Sequence, residues 1–372
     1  MKRIAELLIV TFILGSFASS ALAQDKEELK KGPFDGLWKT ARGSIVKIDG
    51  DQGVFLYTHV ESWKGYVNQV VIRNIRLKDD KWVADEFIAP DGEGIWAEVE
   101  WELKQDRIIR RIVFQDKPIE SYYERIRLHK PHHVELGFMY YNFDYEEDLP
   151  SPFKSTEEEW LPGFCLSYTY KDKDEFYTKA FVEYTDADTD YDGTTQVGVP
   201  VKDTTDNIFF RFELDIGYTF DSGEKSSVSP YIGWGYRYWE RGLGGALPFD
   251  ETYTWQYIPV GIRADFELND KWDIGANVAA RFMFSGKMRA DSSGFDFKVD
   301  LDNETGWFAE IPIRYKFSPS WSLVVTPWYE YSEIGKSDPV YTIFEGRFIL
   351  SAYEPSSTTD QYGINFGVQY SF

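Results

Sequence analysis

From Val134 to the end of the chain, hydrophobic and polar residues alternate one for one. Val134, Leu136, Phe138 and Tyr140 stand against Glu135, Gly137, Met139 and Tyr141. Phe210, Phe212, Leu214, Ile216, Tyr218 and Phe220 stand against Arg211, Glu213, Asp215, Gly217 and Thr219. Successive side chains of a strand point to opposite faces, so each segment has one apolar and one polar wall. The same reading covers Val228 to Tyr238, Ile258 to Leu268, Trp272 to Phe284, Trp307 to Phe317 and Trp321 to Tyr331, with Phe164 to Tyr170 and Phe176 to Tyr184 as shorter cases. With the C-terminal segment this predicts about ten strands, most of them reaching the roughly 9–11 residues a tilted membrane strand requires.

The connections alternate too. Lys171 to Glu175, Asp221 to Ser227, Asn269 to Lys271 and Ser318 to Ser320 are short, whereas residues 146–160, 186–206, 240–252, 286–305 and 333–359 read as long loops. Membrane barrels have short periplasmic turns and longer external loops, so a first strand entered from the periplasm places every long loop outside. At the C-terminus Tyr362, Ile364, Phe366, Val368, Tyr370 and Phe372 alternate with Gly363, Asn365, Gly367, Gln369 and Ser371. This resembles the terminal strand recognised by the outer-membrane barrel assembly machinery, and residues 133–372 together resemble the ten-stranded Gram-negative outer-membrane barrel class. The resemblance implies a location in the outer membrane, with its lipid and lipopolysaccharide as surroundings and the assembly machinery as partner. Its motifs are architectural and imply little about activity.

Residues 33–127 read differently. After Phe34-Asp35-Gly36-Leu37-Trp38, short strands at 44–48, 54–58, 67–77, 82–88, 95–103, 107–115 and 120–127 are separated by polar turns, which predicts an antiparallel meander. The Gly-x-Trp opening resembles that of lipocalin-like small exported β domains, and the aromatics of this region either line a pocket for a small ligand or fill a core. The expected fold class is therefore all-β, a transmembrane antiparallel up-and-down barrel of about ten strands plus a small N-terminal antiparallel β domain.

The first residues read as a secretory signal: Lys2 and Arg3, an apolar run from Leu7 to Leu14, and Ala21-Leu22-Ala23 before Gln24. The expected organisation is a signal peptide at 1–23, a flexible N-terminus at 24–32, a periplasmic β domain at 33–130 and the barrel at 131–372. The formal charge is −22, and losing the signal's two bases and one acid takes it to −23. Such acidity excludes nucleic acid as a non-specific partner. Cys165 is the sole cysteine, so no intramolecular disulfide forms.

Candidate chemistry lies on the polar wall facing the lumen. Glu135, Glu183, Glu213, Asp215, Asp265, Glu267, Asp273, Glu310 and Glu330 share it with Lys179, Arg211, Arg237, Arg263, Arg281, Arg314 and Lys316. These acids and bases nearly cancel, and a narrow barrel brings them within reach of one another, so an ion-pair network is expected to fill the lumen. An open passage for small solutes is the alternative. The architecture is similar to that of the omptins, barrel proteases that use carboxylates with a histidine near the outer rim. Here His59, His129, His132 and His133 all fall in the periplasmic domain, the connection or the inner end of the first strand. No imidazole is left outside, so no catalytic residues are assigned and the chain is read as a non-enzyme. No cofactor is expected except calcium at one external loop, where Asp186, Asp188, Asp190, Asp192 and Gly193 match the first half of a calcium loop. Position twelve of that match is Val199 rather than the bidentate Glu. Three functions stay open: a non-catalytic envelope barrel with a binding or structural role, a narrow porin or transporter, and a surface hydrolase.

Overall fold

The computed structural model describes residues 32–88, 94–104, 107–114, 117–126, 130–172, 174–195, 198–223, 225–243, 249–292, 295–344 and 348–372. The expected signal peptide at 1–23, most of the expected flexible segment and His129 lie outside the described residues. The chain divides into two compact units, 1–129 and 130–372.

The first unit is a closed antiparallel barrel of eight strands: β1 (Gly36–Thr40), β2 (Ile45–Asp49), β3 (Gln52–Tyr57), β4 (Val70–Lys78), β5 (Lys81–Ile88), β6 (Ile95–Lys104), β7 (Arg107–Phe114) and β8 (Lys117–Ile126). The strand absent from the sequence reading is β1, whose pairing with β8 turns the expected meander into a barrel. It is short, and its start is pinned by the Asp35 carboxylate, which accepts the backbone N–H of Gly50 at 2.8 Å. Eight strands leave an interior just wide enough for side chains. Trp38, Phe55, Trp101 and Tyr123 fill it, with Phe34 edge-on to Trp82 and Trp101 at 5.0 and 5.1 Å. The aromatics therefore form a core, and a packed interior gives the lipocalin-like reading no support.

The second unit contains β9 (His132–Glu147), β10 (Ser155–Lys171), β11 (Phe176–Thr194), β12 (Pro200–Tyr218), its short continuation β13 (Phe220–Asp221), β14 (Ser226–Leu243), β15 (Phe249–Glu267), β16 (Trp272–Ser292), β17 (Phe295–Leu301), β18 (Thr305–Glu310), β19 (Ile313–Lys316), β20 (Trp321–Ile334), the separate hairpin β21 (Val340–Phe344) and β22 (Phe348–Ala352), and β23 (Ser357–Ser371). Ten walls close antiparallel, β18 and β19 being one wall interrupted at Ile311-Pro312. Proline cannot donate to the ladder, which accounts for the gap. The last strand pairs with the first along its whole length, and His132 and Phe372 exchange backbone hydrogen bonds of 3.0 and 3.3 Å.

A band of apolar side chains points outward on every wall: Leu136 and Phe138 on β9, Ile216 on β12, Val278 on β16, Leu323 on β20, Phe366 on β23, all about half exposed. So continuous an apolar surface far exceeds what a soluble monomer shows. Aromatics edge it, with Trp160, Tyr329 and Tyr362 at the long-loop end and Trp272, Trp321 and Phe372 at the short-turn end, the girdle pattern of an outer-membrane barrel.

The predicted long loops are corrected. Strand β11 runs for 19 residues, about twice what crossing the bilayer takes, and its neighbours rise with it. The expected loops 146–160 and 186–206 shrink to 148–154 and 195–199, and the expected loops 286–305 and 333–359 hold β17 and the β21–β22 hairpin. Beyond the band the outward positions turn acidic: Asp360, Asp144, Glu158 and Asp190 stand side by side on four adjacent strands. Period-two hydrophobicity vanishes there because the outer face no longer meets lipid, although the strands continue.

Candidate functional site

The lumen of the ten-walled barrel gathers the buried charges of the second unit in three tiers. In the middle tier Glu330, 2% exposed, takes Arg211 at 2.7 Å, Arg281 at 2.6 Å and Arg237 in a close contact. Arg211 also holds Glu183 at 2.5 Å, and Arg281 holds Glu213 at 2.9 Å. Tyr257 Oη donates to Glu213 at 2.6 Å. Three guanidiniums thus meet three carboxylates, and each side chain comes from a different wall or from alternate positions on one. Such a buried network is tolerated only because its members neutralise one another. Phe308 lies under the Arg281 guanidinium at 4.3 Å, adding a cation–π contact.

The lower tier, toward the short turns, centres on Asp265, with Lys171 at 2.6 Å, Arg314 at 3.0 Å and Arg263 at 3.2 Å. Glu310 accepts from Asn277 at 3.1 Å and lies 3.6 Å from Lys179 and 3.8 Å from Arg263. Lys316 pairs with Asp273 at 2.8 Å. Between the lower and middle tiers a cavity of about 20 Å³ remains, bordered by Lys179, Glu183, Arg211, Arg281 and Glu310. That is room for about one water molecule.

Of the sixteen residues expected in the lumen network, thirteen come together in these pairs, and Glu135, Asp215 and Glu267 make no ion pair among the described residues. Glu267 is exposed at the turn end and makes none of these pairs among the described residues. Glu135 and Asp215 lie on the lumen face, and Asp215 is buried with Oδ1 unpartnered. Lys171 escaped the sequence reading because it was placed in a turn. The single Cys165 is buried facing the lumen, 2.7 Å from where a Cβ on Gly137 would lie, so the glycine makes room for the thiol.

The upper tier was missed altogether. Above the apolar band Arg241, 2% exposed, reaches Glu157 in a close contact, Glu251 at 2.9 Å and Glu147 at 3.2 Å. Tyr253 Oη bridges Glu251 at 2.9 Å and Glu354 at 2.7 Å. Burial, then the neighbouring Glu251 and Glu147 carboxylates, push Glu354 well above the usual carboxylate range. All of these residues come from segments that read as loop or loop edge.

The calcium expectation loses its loop. Asp186, Asp188, Asp190 and Asp192 occupy alternate positions of β11 and project outward along an extended strand instead of wrapping inward. Asp188 stands opposite Asp206, which raises the Asp206 carboxyl by direct contact. Lys154 at 3.0 Å and Lys202 at 3.3 Å hold Asp192 below the ordinary value. Among the described residues no cluster of His, Cys, Asp and Glu has metal-holding geometry. His132 stacks on Phe372 while His133 Nδ1 meets Ser371 Oγ at 2.8 Å, so the two rings lie on opposite faces of β9.

A family profile described as the autotransporter β-domain matches residues 163–326. No curated protein sequence matches the chain. Among solved structures, the outer-membrane protease OmpT of Escherichia coli is similar over 65% of this chain and 96% of that one, with 8% identity and a TM-score of 0.53. The translocator domain of the autotransporter NalP from Neisseria meningitidis covers 66% of this chain and 90% of that one at 8% identity and TM-score 0.34. OprG from Pseudomonas aeruginosa covers 66% and 99% at 12% identity and TM-score 0.34. Closed walls, a lipid-facing band with aromatic edges, and the autotransporter β-domain match together make this chain a β-barrel protein of the Gram-negative outer membrane.

Proposed function

We propose that the barrel is a closed, non-catalytic outer-membrane anchor with a binding or structural role at the cell envelope, and that it keeps the eight-stranded N-terminal domain in the periplasm. One observation carries the closed state: Glu330 gathers three arginines in mid-lumen, and the cavity described beside them holds about one water. A solute passing this tier has to break several buried charge pairs at once, each costing several kcal/mol to leave uncompensated. Refolded protein in planar bilayers is therefore expected to give no steady unit currents, whereas replacing Arg211, Arg281 and Glu330 together by Ala opens a conducting path. Steady currents from the unaltered protein favour the porin reading instead.

Chain length supports a periplasmic place for the N-terminal domain. Five residues, 127–131, join β8 to β9; fully extended they reach about 17 Å, less than the roughly 25 Å apolar height of an outer-membrane barrel. Since β9 begins at the short-turn, periplasmic end, that tether supports a periplasmic domain. The autotransporter β-domain match favours a second reading, in which the N-terminal residues are exposed at the cell surface as autotransporter passengers usually are. Protease added to intact cells separates the two: residues 36–126 survive under the first reading and are digested under the second.

A further inference from the structure

Four glutamates, Glu147, Glu157, Glu251 and Glu354, converge in the external mouth of the barrel around one cation, Arg241. Arg241 pairs with the first three. Glu354, 4% exposed, has no ion pair of its own among the described residues, and its carboxyl meets Tyr253 Oη instead. The same phenol oxygen lies 2.9 Å from Glu251. A phenol has one proton to donate, so it satisfies one carboxylate, and the other contact sets two acceptors against each other unless that carboxyl carries a hydrogen. Burial raises the Glu251 carboxyl as well, but Glu251 has the Arg241 guanidinium 2.9 Å away and Glu354 has no cation beside it among the described residues, so of the two the hydrogen belongs on Glu354: its O–H donates to Tyr253, whose O–H donates to Glu251.

The position of Glu354 gives this proton a consequence. Its backbone N–H donates to Ser337 Oγ at 2.8 Å, and the Ser337 N–H donates to its carbonyl at 2.9 Å. This clasp closes the base of the β21–β22 hairpin, and Ser337 is also bridged to Leu301 on β17. Ser357, three residues on, is 2% exposed with an unpartnered hydroxyl and stands beside Glu147 in the same mouth. We propose that Glu354, protonated and bridged through Tyr253 to Glu251, is a pH-sensitive latch that keeps the base of the β21–β22 hairpin clasped at the barrel mouth.

Facing Glu354 are Glu147 and Tyr145 from β9, Arg241 from β14 and Glu251 and Tyr253 from β15; Glu157 from β10 and Tyr191 from β11 stand beyond Arg241. Ionising Glu354 adds a fourth negative charge against one guanidinium. The carboxyl is pushed up by burial and like charge, so the latched state binds a proton that the open state releases. The latch is therefore strongest on the acid side and is lost as pH rises through the raised value.

The test uses the full chain folded in detergent micelles. In mildly acidic buffer the infrared spectrum of the unaltered protein is expected to contain a protonated-carboxyl band, a component of which is lost in Glu354→Gln and kept in Glu251→Gln. Trypsin cleavage at the exposed Lys336 reads the hairpin, with Glu354→Gln, permanently uncharged, as the reference at each pH. The ratio of unaltered protein to reference is expected near unity while that band is present and about tenfold higher once raising the pH has removed it, a proton-linked change of one decade. A missing band, a band indifferent to Glu354→Gln, or a ratio that stays flat while the band is lost overturns the latch. None of these readouts depends on whether the lower tiers conduct.

Discussion

At the scale of single residues, burial decides which charges matter. Glu330 is the only carboxylate that Arg237 meets in an ion pair among the described residues, and it also serves Arg211 and Arg281. Glu330→Ala leaves buried guanidiniums uncompensated and is expected to cost about 3–5 kcal/mol, read as a lower temperature at which the folded, SDS-resistant band disappears. In the first unit Glu86, 2% exposed, accepts from Trp101 at 2.6 Å, Tyr123 at 2.9 Å and the Arg110 Nε at 2.9 Å. Burial, set against the Arg110 charge, pushes the Tyr123 phenol up, so it stays a neutral donor. Glu86→Ala is expected to destabilise that unit by about 3 kcal/mol. Sequence alone revealed the lumen charges within the lipid band, because each sits opposite an outward apolar residue. It did not reveal Arg241 and its glutamates, whose outward neighbours, such as Glu240 and Glu158, are polar as well.

At the scale of strands, the same contrast explains the misplaced loops. In β11 the outward positions run Phe176, Thr178, Ala180, Val182, Tyr184 and then four aspartates, while the inward face continues through Thr185, Ala187, Thr189 and Tyr191. The ladder to β12 is unbroken across the change, from Phe176 opposite Tyr218 to Thr194 opposite Pro200. Hydrophobic alternation reports lipid contact, not the strand itself. Two substitutions separate these: Val278→Arg, in mid-band on β16, is expected to cost about 2–4 kcal/mol, whereas Asp188→Arg, above the band, leaves the folded fraction unchanged. Chemical denaturation of each variant in the same micelle compares them. An irregularity on β16 was also invisible beforehand. Ser285 takes a φ of 55°, and one extra residue there shifts the inward face from Met283 to Gly286, Met288 and Ala290.

At the scale of the whole molecule, two closed barrels of different solvent share one chain. The small one buries an aromatic core and faces water; the large one buries charge and faces lipid. Their stabilities therefore answer to different agents. Heating in mild detergent is expected to show two transitions, with Glu86→Ala moving only that of the first unit and Glu330→Ala only that of the second. A single transition shifted by both substitutions contradicts this independence. The C-terminal alternation and the count of about ten strands were legible from the sequence, as was the existence of a separate N-terminal β domain. Its closure was not, because it depends on β1, five residues long, finding β8 some ninety positions away.

The abrupt change of outer surface has a mechanical consequence. Tyr362 and Trp160 flank Asn142 at one level, and Asp360, Asp144 and Glu158 stand side by side one step higher. Sinking the barrel by a single such step draws several adjacent carboxylates toward hydrocarbon at once, while raising it strips aromatics of their interface. Vertical drift is thus opposed in both directions, and a bilayer of mismatched thickness has to deform around the protein, thinning or swelling at its perimeter, because the barrel itself has no compliant height to offer.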